Sequence, residues 1–294
     1  MIKTGQAIFV LLFITFSGKA QTGIGTDFLG VISSRISIPT QKDSDSSIDK
    51  ICPINKSTVA KRVLSEYGAM FVASSTVKSP PACLFQNDAE VAAFHSKLDT
   101  SFVLINGIQL NLQKAAADSL NAVIVEALAE GISVRPLHGA IAGGRTYADT
   151  VRLWNSRFEP ALKYWNRQKR ISDDEATSIM QMSLEKQIEK VIEWESQGMK
   201  FGTGRGSSIF ASTAPPGASQ HLSLIAVDIA PPLTPSIIAL MNSHGWFQTV
   251  KGDRPHFTYL GMAEKELPAR GLKALLFDGT QYWVPNISTT EVNP

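Results

Sequence analysis

His221 and Asp228 stand seven residues apart in PPGASQHLSLIAVDIAPP, an apolar run between prolines, and His256 follows in GDRPHFTY. Two imidazoles and one carboxylate make a three-ligand set for catalytic zinc, which keeps its fourth position for water. Asp228 has apolar neighbours on both sides, so its carboxylate must be paired, hydrogen-bonded or bound to a metal. His221 and His256 each lie at the edge of a short strand in loop-rich, Pro-containing sequence, where scaffolds present functional groups. The other histidines read as structural: His95 as a surface residue of a helix, His138 as a loop residue before Gly139, and His244 as a residue at a helix C-terminus. Spacing alone leaves two chemistries open for His221, Asp228 and His256, a metal centre or a plain Asp–His pair.

Signatures of other chemistries are weak or missing. FGTGRGSS is glycine-rich but lacks the Lys-Ser/Thr ending of a phosphate-binding P-loop. The chain has no Gly-x-Ser-x-Gly elbow and no His-Glu-x-x-His helix. With 28 Lys and Arg against 26 Asp and Glu, the charge is close to balanced, which argues against nucleic acid or an anionic membrane surface as partner.

The setting is read from the first twenty residues. Lys3, an apolar run from Ala7 to Phe16 and the small residues Ser17, Gly18 and Ala20 have the layout of a secretory signal peptide, residues 1–20. The apolar run is short for a spanning helix, so the mature protein is expected to be exported, periplasmic or extracellular, with no membrane span; a retained N-terminal anchor helix is the alternative. In an oxidising compartment the two cysteines, Cys52 and Cys83, are expected to form a disulfide, the alternative being two buried thiols.

The elements that must position these residues follow from periodicity. Residues 21–58 have no helical period and read as a flexible leader. VAKRVLSEYGAMFVA and DAEVAAFHSKL have helical spacing, SFVLING reads as a strand, and LNLQKAAADSLNAVIVEALAEG as a helix closed by Gly131. ISVRPL reads as a buried strand, and RTYADTVRLWNSRFEPALKYW as a helix that Pro160 bends or interrupts. SDDEATSIMQMSLEKQIEKVIEWESQG reads as one helix with a Ser cap and an acidic first turn. Residues 199–218 read as a loop, and IAVDIA, GWFQTV and HFTYLG as short strands. One α+β domain is expected, residues 59–262, with a small antiparallel sheet carrying the site against several helices. Residues 263–294 form a C-terminal extension, expected to pack on the domain.

Ser219-Gln220-His221 followed by Ala226-Val227-Asp228 resembles the Ser-x-His-x6-Asp signature of the D-alanyl-D-alanine carboxypeptidases of the vancomycin-resistance type. That family belongs with the zinc peptidases that include the L-alanyl-D-glutamate endolysins and the fold of the hedgehog signalling domain. GDRPHFTY is similar to the family's later Glu-Pro-Trp-His segment, while LQKAAADSL and GGRTYADTVRLW resemble its helix and its Ser-Gly-Tyr-Arg-Ser segment. The resemblance implies one zinc ion per chain held by His221, Asp228 and His256, with Asp253 on the position of the catalytic Glu. It also implies that Arg145 holds a substrate carboxylate with its planar fork of donors, and that Ser219 helps orient the substrate.

Three departures bear on activity. Leu224 stands where the family usually has Gly, Thr150 where a substrate-side Gln is common, and Asp253 where the family has Glu. The implied function is that of an exported zinc metallopeptidase hydrolysing D-amino-acid-containing peptidoglycan stem peptides, the terminal D-Ala bond first. Asp253 would take a proton from the attacking water and return it to the leaving amine. The shorter side chain of Asp253 keeps a second reading open, a weakly active or non-catalytic zinc-bearing cell-wall binding protein on the same fold.

Overall fold

Caps and apolar spacing together set where the helices begin. In the computed structural model, which describes residues 26–36 and 48–287, α1 spans Phe28–Ile36, α2 Thr58–Tyr67 and α3 Asp88–His95. Ser57 and Asn87 cap α2 and α3, each accepting the N–H three residues on. β1 (Thr100–Ile105) and β2 (Ile108–Gln113) pair around Asn106 (φ 50°) and Gly107 (φ 80°), the left-handed pair that a tight hairpin needs. α4 (Lys114–Ala129) starts only after β2. The helix expected from Leu110 is corrected there, because Leu110 and Leu112 alternate inward as strand residues.

α5 (Tyr147–Arg167) runs through Pro160 without interruption. Its buried Trp154, Phe158, Ala161 and Leu162 hold both sides of the proline in the core, so tertiary packing outweighs one lost hydrogen bond. The long acidic-capped helix is two helices, α6 (Asp173–Gln181) and α7 (Leu184–Ser196), because Met182 turns extended (ψ 157°) and Ser183 caps α7 afresh. ISVRPL forms no strand; Pro136 makes a single bridge to Ile229, and a proline has no N–H to extend a ladder.

β3 (Ala226–Asp228), β4 (Trp246–Phe247) and β5 (His256–Tyr259) form an antiparallel sheet in the order β3-β5-β4, with α8 (Pro235–Ser243) between β3 and β4 in sequence. β6 (Leu272–Phe277) and β7 (Thr280–Pro285) form a last hairpin. The architecture is therefore α+β with small antiparallel sheets. One apolar cluster unites α2, α4, α5, α7 and the three-stranded sheet through Leu64, Leu120, Phe158, Trp194, Trp246 and Phe257.

The described part of the expected leader is not free. Phe28 and Ile32 of α1, with Ile48 and Cys52, belong to the core, and Cys52 is bonded to Cys83 with Cα atoms 5.2 Å apart. Burying those side chains offsets the conformational entropy that the polar composition suggested would keep the stretch loose. The expected signal peptide, residues 1–20, lies outside the described residues. No helix among the described residues is long and apolar enough to cross a membrane. The C-terminal hairpin packs on the domain: the Trp283 N–H donates to Gln248 O at 2.8 Å, and Tyr282 is buried.

Candidate metal centre

Strand register puts two of the three candidate ligands face to face. Asp228, the last residue of β3, is the direct partner of His256, the first of β5, so both side chains leave one face of the sheet. His221 arrives from a 3-10 turn, Gln220–Ser223, that ends at Leu224 in left-handed backbone (φ 55°, ψ 32°). This reversal folds the turn back over β3 and explains why seven residues separate His221 from Asp228. Buried Gln113 clamps the turn: its N–H donates to Leu224 O and its amide to Ser223 O, both at 2.8 Å.

Three ligand atoms meet in a nearly equilateral triangle. His221 Nε2 lies 3.1 Å from His256 Nδ1 and 3.2 Å from Asp228 Oδ1, and His256 Nδ1 lies 3.1 Å from Asp228 Oδ1. The outer ring nitrogens decide where the protons are. His221 Nδ1 sits 2.6 Å from the Gly143 carbonyl, and His256 Nε2 sits 2.7 Å from Gln220 Oε1. Gln220 cannot be turned round, since its Nε2 donates to the Tyr67 carbonyl at 2.9 Å. Both outer nitrogens therefore carry the N–H of a neutral imidazole, and three lone pairs converge inside the triangle with no proton among them. Such a group calls for a cation. A tetrahedral zinc ion with bonds of about 2.0 Å separates its ligand atoms by about 3.3 Å, close to these distances.

The electrostatics hold the same state. Burial, then the Arg145 guanidinium, lowers His221 to about 4, so its ring is neutral at neutral pH. Burial alone would raise Asp228, but its contact with His221 first, then with His256 and the Arg145 guanidinium, holds it well below the usual carboxylate range. Neutral imidazoles beside an ionised carboxylate are the protonation state in which a metal binds.

The triangle forms the floor of a cleft of about 140 Å³, whose lining includes Arg145, Ser219 and Asp253. Asp253 sits in the β4–β5 turn, its N–H donating to Val250 O at 3.1 Å; burial and then the charge of Asp228 push its carboxyl up to about 6. Arg145 precedes α5, gives its Nε–H to Ile141 O at 2.9 Å and pairs with Asp228 Oδ2. Asp149, four residues on, closes a capping box with Thr146 and pairs with Arg152. Ser219 is buried where the chain enters the turn. Thr150 is buried and faces backbone, donating to Tyr147 O at 2.6 Å and accepting the Gly217 N–H at 3.3 Å.

Among the other histidines, His244 pairs with Glu126 at 3.0 Å, and exposed His138 lines the cleft mouth. His95 is only half-exposed, its Nε2 lying 2.7 Å from Leu222 O, so it braces the 3-10 turn rather than lying free on the surface. Sequence reading missed Gln220, the Gly143 carbonyl and Thr258, which also donates to Gln220 Oε1. The available signal was Gln220 itself, an amide beside a candidate ligand within an otherwise apolar run.

No protein-family model matches the chain, and no curated protein matches it. Among solved structures, it is similar to the zinc complex of VanY, a vancomycin-resistance D,D-pentapeptidase from a VanB-type cassette. The TM-score is 0.34 and the identity 14%, over 60% of this chain and 85% of that one. It is also similar to the LD-carboxypeptidase LdcB, with a TM-score of 0.29 and 15% identity over 64% of this chain and 72% of that one. Both likenesses are low, and the chemistry of the site rests on its own geometry.

Proposed function

We propose that the chain is an exported zinc-dependent peptidase that hydrolyses D-amino-acid-containing peptidoglycan stem peptides, with the terminal D-Ala bond its first substrate. The observation that carries the reading is the triangle of three unprotonated ligand atoms on the floor of a cleft that also presents Asp253. His221, Asp228 and His256 would hold a zinc ion, which would supply Lewis acidity at the scissile carbonyl. Asp253, half-neutral near pH 6, is suited to take a proton from the attacking water and return it to the leaving amine. Ser219 and Arg145 line the same cleft on the substrate side. The Cys52–Cys83 bridge suits an oxidising compartment outside the cytosol.

A second reading, a zinc-bearing wall-binding protein without turnover, is favoured by one observation: Arg145 is already engaged by Asp228 and Ile141. Zinc content of the purified protein, measured with D-Ala release from a muramyl pentapeptide, separates the two. The expected result is about one zinc per chain and turnover abolished by His256→Ala. Zinc without turnover of any stem-peptide bond selects the binding protein, and absence of zinc overturns both.

A further inference from the structure

Arg157 is the arginine of the cleft that pairs with no carboxylate among the described residues. It lies on α5 one turn after Leu153, and both side chains line the cleft above His221, Asp228 and His256. Its Nε is fully buried without an acceptor, its only hydrogen bond is from Nη1 to the hydroxyl of adjacent Ser156 at 3.0 Å, and it pairs with no carboxylate among the described residues. A guanidinium that lines the cleft with one hydrogen bond and no carboxylate partner has donors left on its amino groups, which a planar anion offering two oxygens would take up. Arg145, by contrast, has its Nε and one amino group occupied.

Arg157 also lines a second cavity, of about 340 Å³, with Gly202, Thr203, Gly204 and Arg205, the glycine-rich stretch that the metal chemistry leaves unused. Arg205 gives an amino N–H to Pro160 O at 3.4 Å, lies over the Tyr164 ring and pairs with no carboxylate among the described residues. Two arginines without carboxylate partners suit an acidic ligand.

We infer that Arg157 is the anion receptor of the cleft and binds a carboxylate of the peptide substrate, the role that sequence had pointed to Arg145. The inference rests on the peptidase reading, and the carboxylate has two sources, the substrate's C-terminus or an internal acidic residue. The test compares zinc-loaded wild type, Arg157→Gln and Arg157→Lys on three probes: a muramyl pentapeptide as free acid, its C-terminal amide, and a form amidated at its internal carboxylates. Arg157→Gln is expected to raise KM for the free acid by about tenfold or more, the effect falling on KM rather than kcat, with Arg157→Lys recovering part of it. Amidating the carboxylate that Arg157 reads should impose a similar loss on wild type and none on Arg157→Gln, and so identifies the source. If Arg157→Gln changes KM less than twofold on all three probes, the inference is overturned and the peptidase reading stands. If wild type turns over no probe, the peptidase reading fails, and calorimetry of the free acid decides the inference separately. Binding about tenfold weaker in Arg157→Gln supports it; equal or absent binding overturns it.

Discussion

At the scale of single residues, the site is a problem in proton placement. Each imidazole has one N–H to give, and the oxygen that takes it fixes which nitrogen is left for a metal. For His221 that oxygen is a backbone carbonyl, Gly143 O, which no side-chain substitution removes. For His256 it is Gln220 Oε1, held in turn by the Tyr67 carbonyl through the far end of the same amide. Gln220→Leu should therefore free His256 to take either tautomer while leaving the apolar packing nearly filled. Zinc affinity is expected to fall by about 10- to 100-fold, read by competition with a chromophoric chelator, while the circular-dichroism spectrum is unchanged. Unchanged affinity in Gln220→Leu would refute the tautomer assignment. Gln220→Glu keeps an acceptor at the same reach and should bind zinc more tightly than Gln220→Leu.

At the scale of elements, the spacing of His221 and Asp228 depends on one backbone reversal at Leu224. Left-handed backbone costs a non-glycine residue about 1–2 kcal/mol, yet this residue is a leucine, 2% exposed, packed where a Cβ on Gly144 would come within 2.6 Å of its Cδ2. Burying a leucine is worth more than the strain, about 2–5 kcal/mol on truncation to alanine, so the leucine is tolerated where glycine would suit the backbone. Two substitutions separate the terms. Leu224→Ala loses the packing and keeps the strain, whereas Leu224→Gly loses the packing and relieves the strain. At an ordinary helical or extended position glycine is less stable than alanine; here Leu224→Gly should be the more stable by about 1 kcal/mol in urea unfolding. The reverse order would mean that the turn is not strained. The same element shows what was legible in the sequence. Of the residues that meet in the cleft, His221, Asp228 and His256 stood out by type and setting, while Asp253, Arg145 and Ser219 came only from the resemblance of their segments to the peptidase family. β1 reads as a strand, but β2 hides inside an apparent helix, because Leu110 and Leu112 suit either period and only Asn106-Gly107 argues for a turn. The continuity through Pro160 was decided by contacts with distant residues, which local periodicity does not record, whereas the break at Met182 had a local signal in Ser183, the cap of α7. Packing of α1 against the domain was hidden for the same reason.

At the scale of the whole molecule, the cleft couples its own titrations to folding. In the metal-free protein His221 titrates near 4, against 6.5 for a free histidine. Its folded pKa is lowered, so the unfolded chain binds the extra proton between pH 4 and 6.5, and this residue's contribution to stability falls as pH falls through that window. Asp253 works in the opposite sense: its folded pKa is raised from 3.8 to about 6, so the folded protein binds the extra proton, and its contribution falls as pH rises through the same window. Between about pH 4 and 6 the two slopes have equal size and opposite sign, and together they leave stability flat. Physically, one proton that the unfolded chain would carry on His221 is carried by Asp253 in the folded cleft. Asp253→Asn removes one slope and leaves the other. Metal-free Asp253→Asn is therefore expected to lose about 1 kcal/mol per pH unit, relative to wild type, as pH is lowered from 6 to 4. Urea unfolding at half-unit pH steps, in the presence of a chelator, reads that difference directly, and contributions from groups elsewhere cancel between the two proteins. Parallel pH profiles for wild type and Asp253→Asn would show that Asp253 is an ordinary carboxylate and would remove the reason to assign it a proton near pH 6. Zinc should extend the His221 slope below pH 4, because a metal on Nε2 would keep the second proton off the folded state while the unfolded chain still takes it up, until the ion is released.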